Sequence, residues 1–179
     1  MNEIEENFYK AFTTFVESAP TVSVFDNYGD KVSEVKVMKR DMGCLTDNLY
    51  FDLEIKDFST NNYPTIHPIF VLDPRQNMNK SKGYMPDFKI EHIGSYTKSV
   101  TSSSFSIEID GHEWHEKTKE QAAADKRRER AFLKDKTIPV RFTGSEIYHS
   151  ASDCVKDVIE ILTAFEIDNA RANAEGENA

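Results

Sequence analysis

Cysteine is scarce in this chain, and positive charge is in deficit. The two cysteines, Cys44 and Cys154, lie far apart and match no metal-ligand spacing, so we expect two reduced thiols rather than a disulfide framework. Lysine and arginine number 22 against 31 acidic residues, which gives a net charge of -9. Repulsion from phosphate acts over about a Debye length, ~8 to 10 Å, so a nonspecific nucleic-acid coat is disfavoured. Any nucleic-acid site must use a local basic surface.

Long apolar runs are also missing. No run approaches the roughly 18 residues that a bilayer span needs, and the opening "MNEIEENFYKAF" lacks the basic flank and apolar centre of a secretory signal. The 39% hydrophobic and 30% charged fractions are those of a soluble globular protein, and 179 residues suit one domain. We therefore expect a cytoplasmic protein with no membrane association.

Hydrophobic spacing predicts helix, strands, helix, strand, helix. Ile4, Phe8, Ala11, Phe12 and Phe15 make one stripe of an opening helix, and short alternating segments follow from residue 21 to about 71. "YMPDFKI" and "FSIEID" predict two neighbouring strands, "EKTKEQAAADKRRERAFLKDK" a helix, and "IPVRFTG" a further strand. "SEIYHSASD" predicts a loop, with Ser152 or Asp153 capping the last helix. This order favours an α/β fold over residues 1–167, followed by a polar, disordered tail over 168–179.

Acidic residues collect at the end of the predicted strand "FSIEID". Alternate residues of a strand share a face, so Glu108 and Asp110 point one way while Ile107 and Ile109 point into the core. Asp87 stands at the end of the neighbouring strand. Crowded, partly buried carboxylates need a cation or a positive side chain to compensate them, and an oxygen-rich cluster suits Mg²⁺. The alternative interpretation is an ordinary solvated sheet face.

Pro86-Asp87 and Glu108-x-Asp110, followed by a glycine and a histidine, together resemble the motif of the PD-(D/E)XK nuclease superfamily. The resemblance is closest to its very-short-patch-repair-like branch. It runs from "IEENFYKAF" through "YMPDFKI" and "IEIDGHEWHE" to "IPVRFTGSEIYHSASDCVKDVIEIL", while residues 21–75 match poorly and would be an elaboration made of strands. It implies a restriction-endonuclease-like mixed central sheet flanked by helices. It also implies an Mg²⁺-dependent (or Mn²⁺-dependent) endodeoxyribonuclease that hydrolyses phosphodiester bonds.

The resemblance also assigns roles to individual residues. Asp87 and Glu108 would be the metal ligands, with the backbone carbonyl of Ile109 as a third. Glu5 matches the glutamate of the opening helix. Asp110 stands where the motif most often has lysine, so the group that activates the attacking water is left open. His115, in "GHEWH", matches a catalytic histidine and is the candidate general base, because an imidazole with a pKa near ~6.5 accepts a proton at neutral pH.

Two basic clusters are candidate contacts for nucleic acid, the expected partner. Lys126, Arg127, Arg128 and Arg130 would hold phosphates, or else form an ordinary solvated helix face balanced by nearby acids. Asp125 and Arg128 match a recurrent Asp-x-x-Arg of the family, which would equally serve as a structural ion pair with Arg141. Lys80, Lys82 and Lys89 would form a positive rim around Asp87.

Two other functions compete with the nuclease. The acidic balance and the missing lysine favour a catalytically inactive nuclease-fold module that binds nucleic acid or a protein partner. An α/β interaction protein with an accidental resemblance is the other alternative, and it predicts that Asp87 and Glu108 lie far apart.

Overall fold

The computed structural model describes most of the chain, apart from a few segments between elements. The described residues are 1–26, 28–43, 48–58, 65–74, 85–95, 104–110 and 119–176, without the side chains of 95, 121 and 174–176. Among these residues no helix is both long enough and apolar enough to cross a membrane.

Helices and strands follow the predicted order. The helices are α1 (Glu3–Glu17), α2 (Lys119–Lys134) and α3 (Gly144–Gly176). The strands are β1 (Thr21–Phe25), β2 (Lys31–Lys39), β3 (Leu49–Asp57), β4 (Thr65–Ile66), β5 (Pro68–Asp73), β6 (Phe88–Ser95), β7 (Ser104–Asp110) and β8 (Thr137–Thr143). The α/β prediction is thereby confirmed.

The strands form one mixed sheet in the order β1-β2-β3-β5-β6-β7-β8, with β4 paired to β3. Every pair is antiparallel except β7 and β8, which run parallel and are connected through α2. A parallel pair needs a crossover connection, and α2 supplies it. Strands β1 to β5 thus belong to the same sheet as the strands that carry the acidic residues.

Aromatic residues of α1 join the helix to the sheet. Phe8 and Phe12 are fully buried, and the Phe8 ring lies 5.3 Å from the ring of Phe88 on β6 and 6.0 Å from that of Phe142 on β8, between centroids. Aromatic pairs at this spacing stabilise beyond their buried area. The apolar stripe predicted for α1 is confirmed, and it packs beside the strand ends that carry the acidic residues.

Helix α3 differs from the sequence prediction at both ends. Residues 145–153, expected to form a loop, are helical except at Ser150, where φ is -157° and ψ is 68°. This non-helical backbone immediately before the second helical run puts Ser150, and neither Ser152 nor Asp153, at the capping position, and its hydroxyl donates to the carboxylate of Asp153.

The predicted tail is corrected as well, because residues 168–176 continue the helix. Ile167 is buried in the core and Ala170 packs against it, while Arg171 pairs with the buried Asp57 of β3 at 3.0 Å. These tertiary contacts order a segment that is polar in composition. Residues 177–179 lie outside the described part of the chain.

Candidate active site

The strand ends that carry the predicted metal ligands lie side by side. In the antiparallel pair of β6 and β7, Phe88 is opposite Ile107, so Asp87 precedes β6 at the level where β7 ends. The backbone N–H of Ile109 donates to Asp87 Oδ2 at 2.7 Å. This hydrogen bond fixes the Asp87 carboxylate next to the residue that follows Glu108.

Glu108 is buried although it carries a carboxylate. Ile107 is 0% exposed and Ile109 packs against the core, as the alternation predicts, and Glu108 on the other face of β7 is only 2% exposed. The interpretation as a solvated sheet face is therefore wrong for Glu108. A buried carboxylate is costly unless paired, so its partners decide what the site can do.

Two arginines contact the same oxygen of Glu108. Arg128 of α2 reaches Oε2 through Nη2, and Arg141 of β8 brings Nε to 3.5 Å of it. Parallel pairing aligns Arg141 with Glu108. Arg141 also lies 3.1 Å from Asp110 Oδ1 and 3.7 Å from Glu129 Oε1. Two cations are thus set among three carboxylates.

The polar groups around Glu108 are incompletely satisfied. Glu108 Oε1, Arg128 Nε and Arg141 Nε are buried and lack a hydrogen-bond partner among the described residues. The 3.5 Å contact of Arg141 Nε is an ion pair without hydrogen-bond geometry. Buried polar groups are normally hydrogen-bonded, so one unsatisfied acceptor beside two unsatisfied donors indicates a place where ligands of both charges would be stabilised.

The electrostatics of Arg141 follow from its neighbours. Burial disfavours its charged form, but the hydrogen bond to Asp110 and the charges of Asp110, Glu108 and Asp125 outweigh burial and raise the pKa of Arg141 above its ordinary value. Arg141 therefore remains cationic and holds Asp110 in place.

A pocket of about 350 Å³ lies between α2 and the carboxyl ends of β7 and β8. Asp110 and Arg141 line this pocket, and they also belong to the charged cluster that Glu108 forms with Arg128, Arg141 and Asp110. The remaining lining residues are Ala122, Asp125, Lys126, Glu129, Phe142 and Thr143. The cluster thus adjoins a concave surface at the end of the parallel strands.

No group of three or more His, Cys, Asp or Glu side chains among the described residues is placed to hold a metal ion. The set predicted from sequence contains only two side chains, Asp87 and Glu108, with the carbonyl of Ile109 as the third ligand. The residues fit a divalent cation in one respect, since the unsatisfied Glu108 Oε1 is an oxygen of the kind that Mg²⁺ selects.

The remaining predicted residues have different positions. Glu5 belongs to the cap of α1: its carboxylate accepts from the backbone N–H of Asn2 at 3.0 Å and from the Asn2 amide at 2.6 Å. Lys89, predicted to form part of a positive rim around Asp87, pairs with Glu91 on its own strand. His115, like Lys80 and Lys82, lies outside the described residues, so its role stays a prediction.

The basic cluster of α2 divides into two parts. Arg128 points to Glu108, whereas Lys126, Arg127 and Arg130 are exposed. Sequence reasoning named Arg141 only as a possible ion-pair partner and missed its contact with Glu108. The signal was present in "IPVRFTG", where a single charged residue interrupts an otherwise apolar strand and therefore calls for a buried partner.

Comparison with protein-family models, curated proteins and solved structures finds no match to this chain. The site is therefore interpreted from its own geometry.

Proposed function

We propose that this protein is a metal-dependent endonuclease that hydrolyses phosphodiester bonds, with DNA as its substrate. The observation that carries the proposal is the cluster at Glu108. Within the described residues, one carboxylate oxygen and two guanidinium N–H groups lack hydrogen-bond partners and lie together, beside the strand end at Asp87. A phosphodiester carries negative charge, which complements the guanidinium groups. A divalent cation bound with it carries positive charge, which complements the carboxylate.

The topology supports the same proposal. Under this proposal, antiparallel β5, β6 and β7, the helix α2 and the parallel β8 would correspond to the core of a restriction-endonuclease-like fold. The acidic residues stand at one end of β6 and β7. On this hypothesis, β1 to β4 extend the sheet away from the site.

Asp87, Glu108 Oε1 and the carbonyl of Ile109 would hold Mg²⁺ or Mn²⁺. When bound, such an ion polarises the phosphate and lowers the pKa of an attacking water. The protein's own contribution is to orient Asp87 through the Ile109 N–H and to hold the Glu108 carboxylate between Arg128 and Arg141. His115 is proposed as the group that accepts a proton from the water.

The direct test is cleavage of DNA. Supercoiled plasmid and single-stranded DNA are incubated with Mg²⁺, Mn²⁺ or EDTA, and products are separated on gels. We expect cleavage with either cation and none with EDTA. Glu108→Gln should abolish it, whereas the matched Glu6→Gln, whose side chain is 51% exposed on α1, should not. Equal cleavage by both variants would overturn the assignment of Glu108.

The second candidate is a catalytically inactive nuclease-fold module that binds nucleic acid or a protein. The ion pairs of Glu108 with Arg128 and Arg141 favour this function, because they stabilise the carboxylate without a metal ion. Asp110 in place of the usual lysine favours it as well. Retention of DNA on a native gel without cleavage under any cation would identify this function.

A further inference from the structure

The ion pair between Arg128 and Glu108 uses only part of its bonding capacity. An arginine and a carboxylate commonly form two parallel N–H···O bonds. Here Nη2 of Arg128 contacts Oε2 of Glu108, while Nε of the arginine and Oε1 of the glutamate are buried and lack hydrogen-bond partners among the described residues. Each residue therefore keeps one buried group without a hydrogen-bond partner in the described part of the chain.

Arg128 and Arg141 differ in how firmly they are held. Arg141 contacts Glu108, and it also contacts Asp110 and Glu129. In the described part of the chain, the ion pair of Arg128 is with Glu108 alone, and its side chain remains 30% exposed. Arg128 can therefore change partners by side-chain rotation, whereas Arg141 is fixed by a network.

We propose that Arg128 is a substrate-positioning residue, whose guanidinium holds Glu108 in the free protein and a phosphate oxygen of nucleic acid in the complex. This rests on the proposed function, because it takes a phosphodiester as the ligand. The planar guanidinium offers several N–H donors in a geometry suited to phosphate. Nε supplies an unused donor at the site, and a phosphate oxygen would satisfy it.

The proposal predicts opposite effects on two ligands. Removal of the Arg128 charge deprives phosphate of a donor, and it also removes a cation that competes for Glu108. Nucleic-acid binding should therefore weaken while divalent cations bind more tightly. A purely structural arginine would not separate the two, because a displaced Glu108 binds cations less well.

The experiment compares Arg128→Met, Arg128→Lys and the control Lys134→Met, which loses the same charge from an exposed position on the same helix, outside the basic cluster. Binding of a 5′-labelled DNA duplex is followed by fluorescence anisotropy in Ca²⁺ at several NaCl concentrations. Binding of Mn²⁺ alone is measured by calorimetry. Circular dichroism checks the fold of each variant.

For Arg128→Met we expect duplex binding weaker by about 10-fold or more and a salt slope smaller by about 0.9, which corresponds to one phosphate contact. Mn²⁺ affinity should rise by roughly 2-fold to 5-fold. Arg128→Lys should keep the salt slope but bind the duplex less tightly, since it retains the charge without the planar donors. Lys134→Met should change duplex binding much less.

Equal effects of Arg128→Met and Lys134→Met, or weaker Mn²⁺ binding by Arg128→Met, would overturn the proposal. If Arg128→Met does not fold, Arg128→Lys decides, and duplex affinity equal to that of the parent refutes the role. If the parent cleaves DNA but the variants behave alike, only this inference fails. A parent that binds neither Mn²⁺ nor duplex refutes the proposed function as well.

Discussion

The two carboxylate oxygens of Glu108 have different surroundings. Oε2 is contacted by Arg128 and Arg141, whereas Oε1 is buried without a hydrogen-bond partner among the described residues. Asp87 beside it accepts a hydrogen bond from the Ile109 backbone, so its carboxylate has a structural role as well as its proposed catalytic one. Substitutions at the two positions should therefore have different consequences for folding.

Asp87→Asn should lower the cleavage rate by more than about 100-fold with little change in stability. The asparagine oxygen can still accept from Ile109 N–H, but it lacks the charge proposed to hold the cation. Asp87→Ala should additionally lose about 1 kcal/mol of stability through the lost hydrogen bond. Plasmid cleavage and urea denaturation measure the two effects. An Asn variant that cleaves as fast as the parent would show that the charge of Asp87 has no catalytic role.

His115→Ala should lower the rate by about 10²-fold to 10⁴-fold if His115 is the general base. In the parent, cleavage should fall as pH drops through the imidazole pKa, ~6.5 in reference peptides, because a protonated imidazole cannot accept a proton. In the variant, the cleavage rate should not show this decrease at low pH. Its affinity for Mn²⁺, measured by calorimetry, should stay the same. Lost Mn²⁺ binding would instead make His115 a ligand or an organiser of the site.

Cys154 should be unreactive in the folded protein. Burial, with smaller contributions from the charges of Glu146, Asp157 and Asp153, raises the pKa of its thiol to about 11. The reactive thiolate is therefore scarce at pH 8, about 0.1% of the thiol. Mass spectrometry of a Cys44→Ala variant after iodoacetamide treatment should show modification only in denaturant. Rapid labelling under native conditions would contradict this expectation.

At the scale of the elements, an ion pair joins the end of α3 to β3. Asp57 at the end of β3 is 2% exposed, and Arg171 contacts its carboxylate through Nε at 3.3 Å and Nη2 at 3.0 and 3.1 Å. The pair connects residues 114 positions apart, and it explains why the polar end of α3 is ordered.

Arg171→Met should reduce the free energy of unfolding by about 1 to 3 kcal/mol, because the buried Asp57 loses these contacts. The double variant Asp57→Asn/Arg171→Met should be less destabilised than the sum of the single changes, since no charge is then left buried. Urea denaturation measures both. Lys156→Met, which removes an exposed pair with Glu160, is the control and should change stability by less than about 0.5 kcal/mol. Equal losses of unfolding free energy in Arg171→Met and Lys156→Met would show that the ion pair between Arg171 and Asp57 does not stabilise the fold.

At the scale of the whole molecule, the net charge of -9 disfavours the binding of nucleic acid. The cationic side chains proposed to bind it are, however, concentrated at one place. Arg128 and Arg141 lie together beside the pocket, and Lys126 lines it. A bound cation would add positive charge at the same point. Binding should therefore be local and strongly dependent on divalent ions.

Mn²⁺ or Mg²⁺ should raise the thermal midpoint of the parent in a concentration-dependent manner. A ligand that binds only the folded state stabilises it by about 2.7 kcal/mol at 100 times its Kd. Differential scanning fluorimetry should show this shift in the parent and in Glu6→Gln, and a much smaller one in Asp87→Asn and Glu108→Gln. No shift in the parent at millimolar cation would contradict the metal site.

Much of the fold was predictable because it depends on local periodicity. The stripe of α1 and the alternation in "FSIEID" identify elements and their buried faces without reference to distant residues. Prediction failed where long-range contacts decide: "SEIYHSASD" was expected to be a loop and is helical, and the end of α3 is ordered by contacts with Asp57 and the core.

The sequence by itself determined which residues of β7 face the core, because strand geometry puts Ile107 and Glu108 on opposite sides whatever surrounds them. It also determined that Asp87 and Glu108 end neighbouring strands. Only the tertiary structure decided the electrostatic state of that end. The crossover through α2 brings Arg128 onto Glu108, and the parallel register sets Arg141 opposite it. Charges interact according to distance in space, and that distance is set by packing of elements remote in the chain.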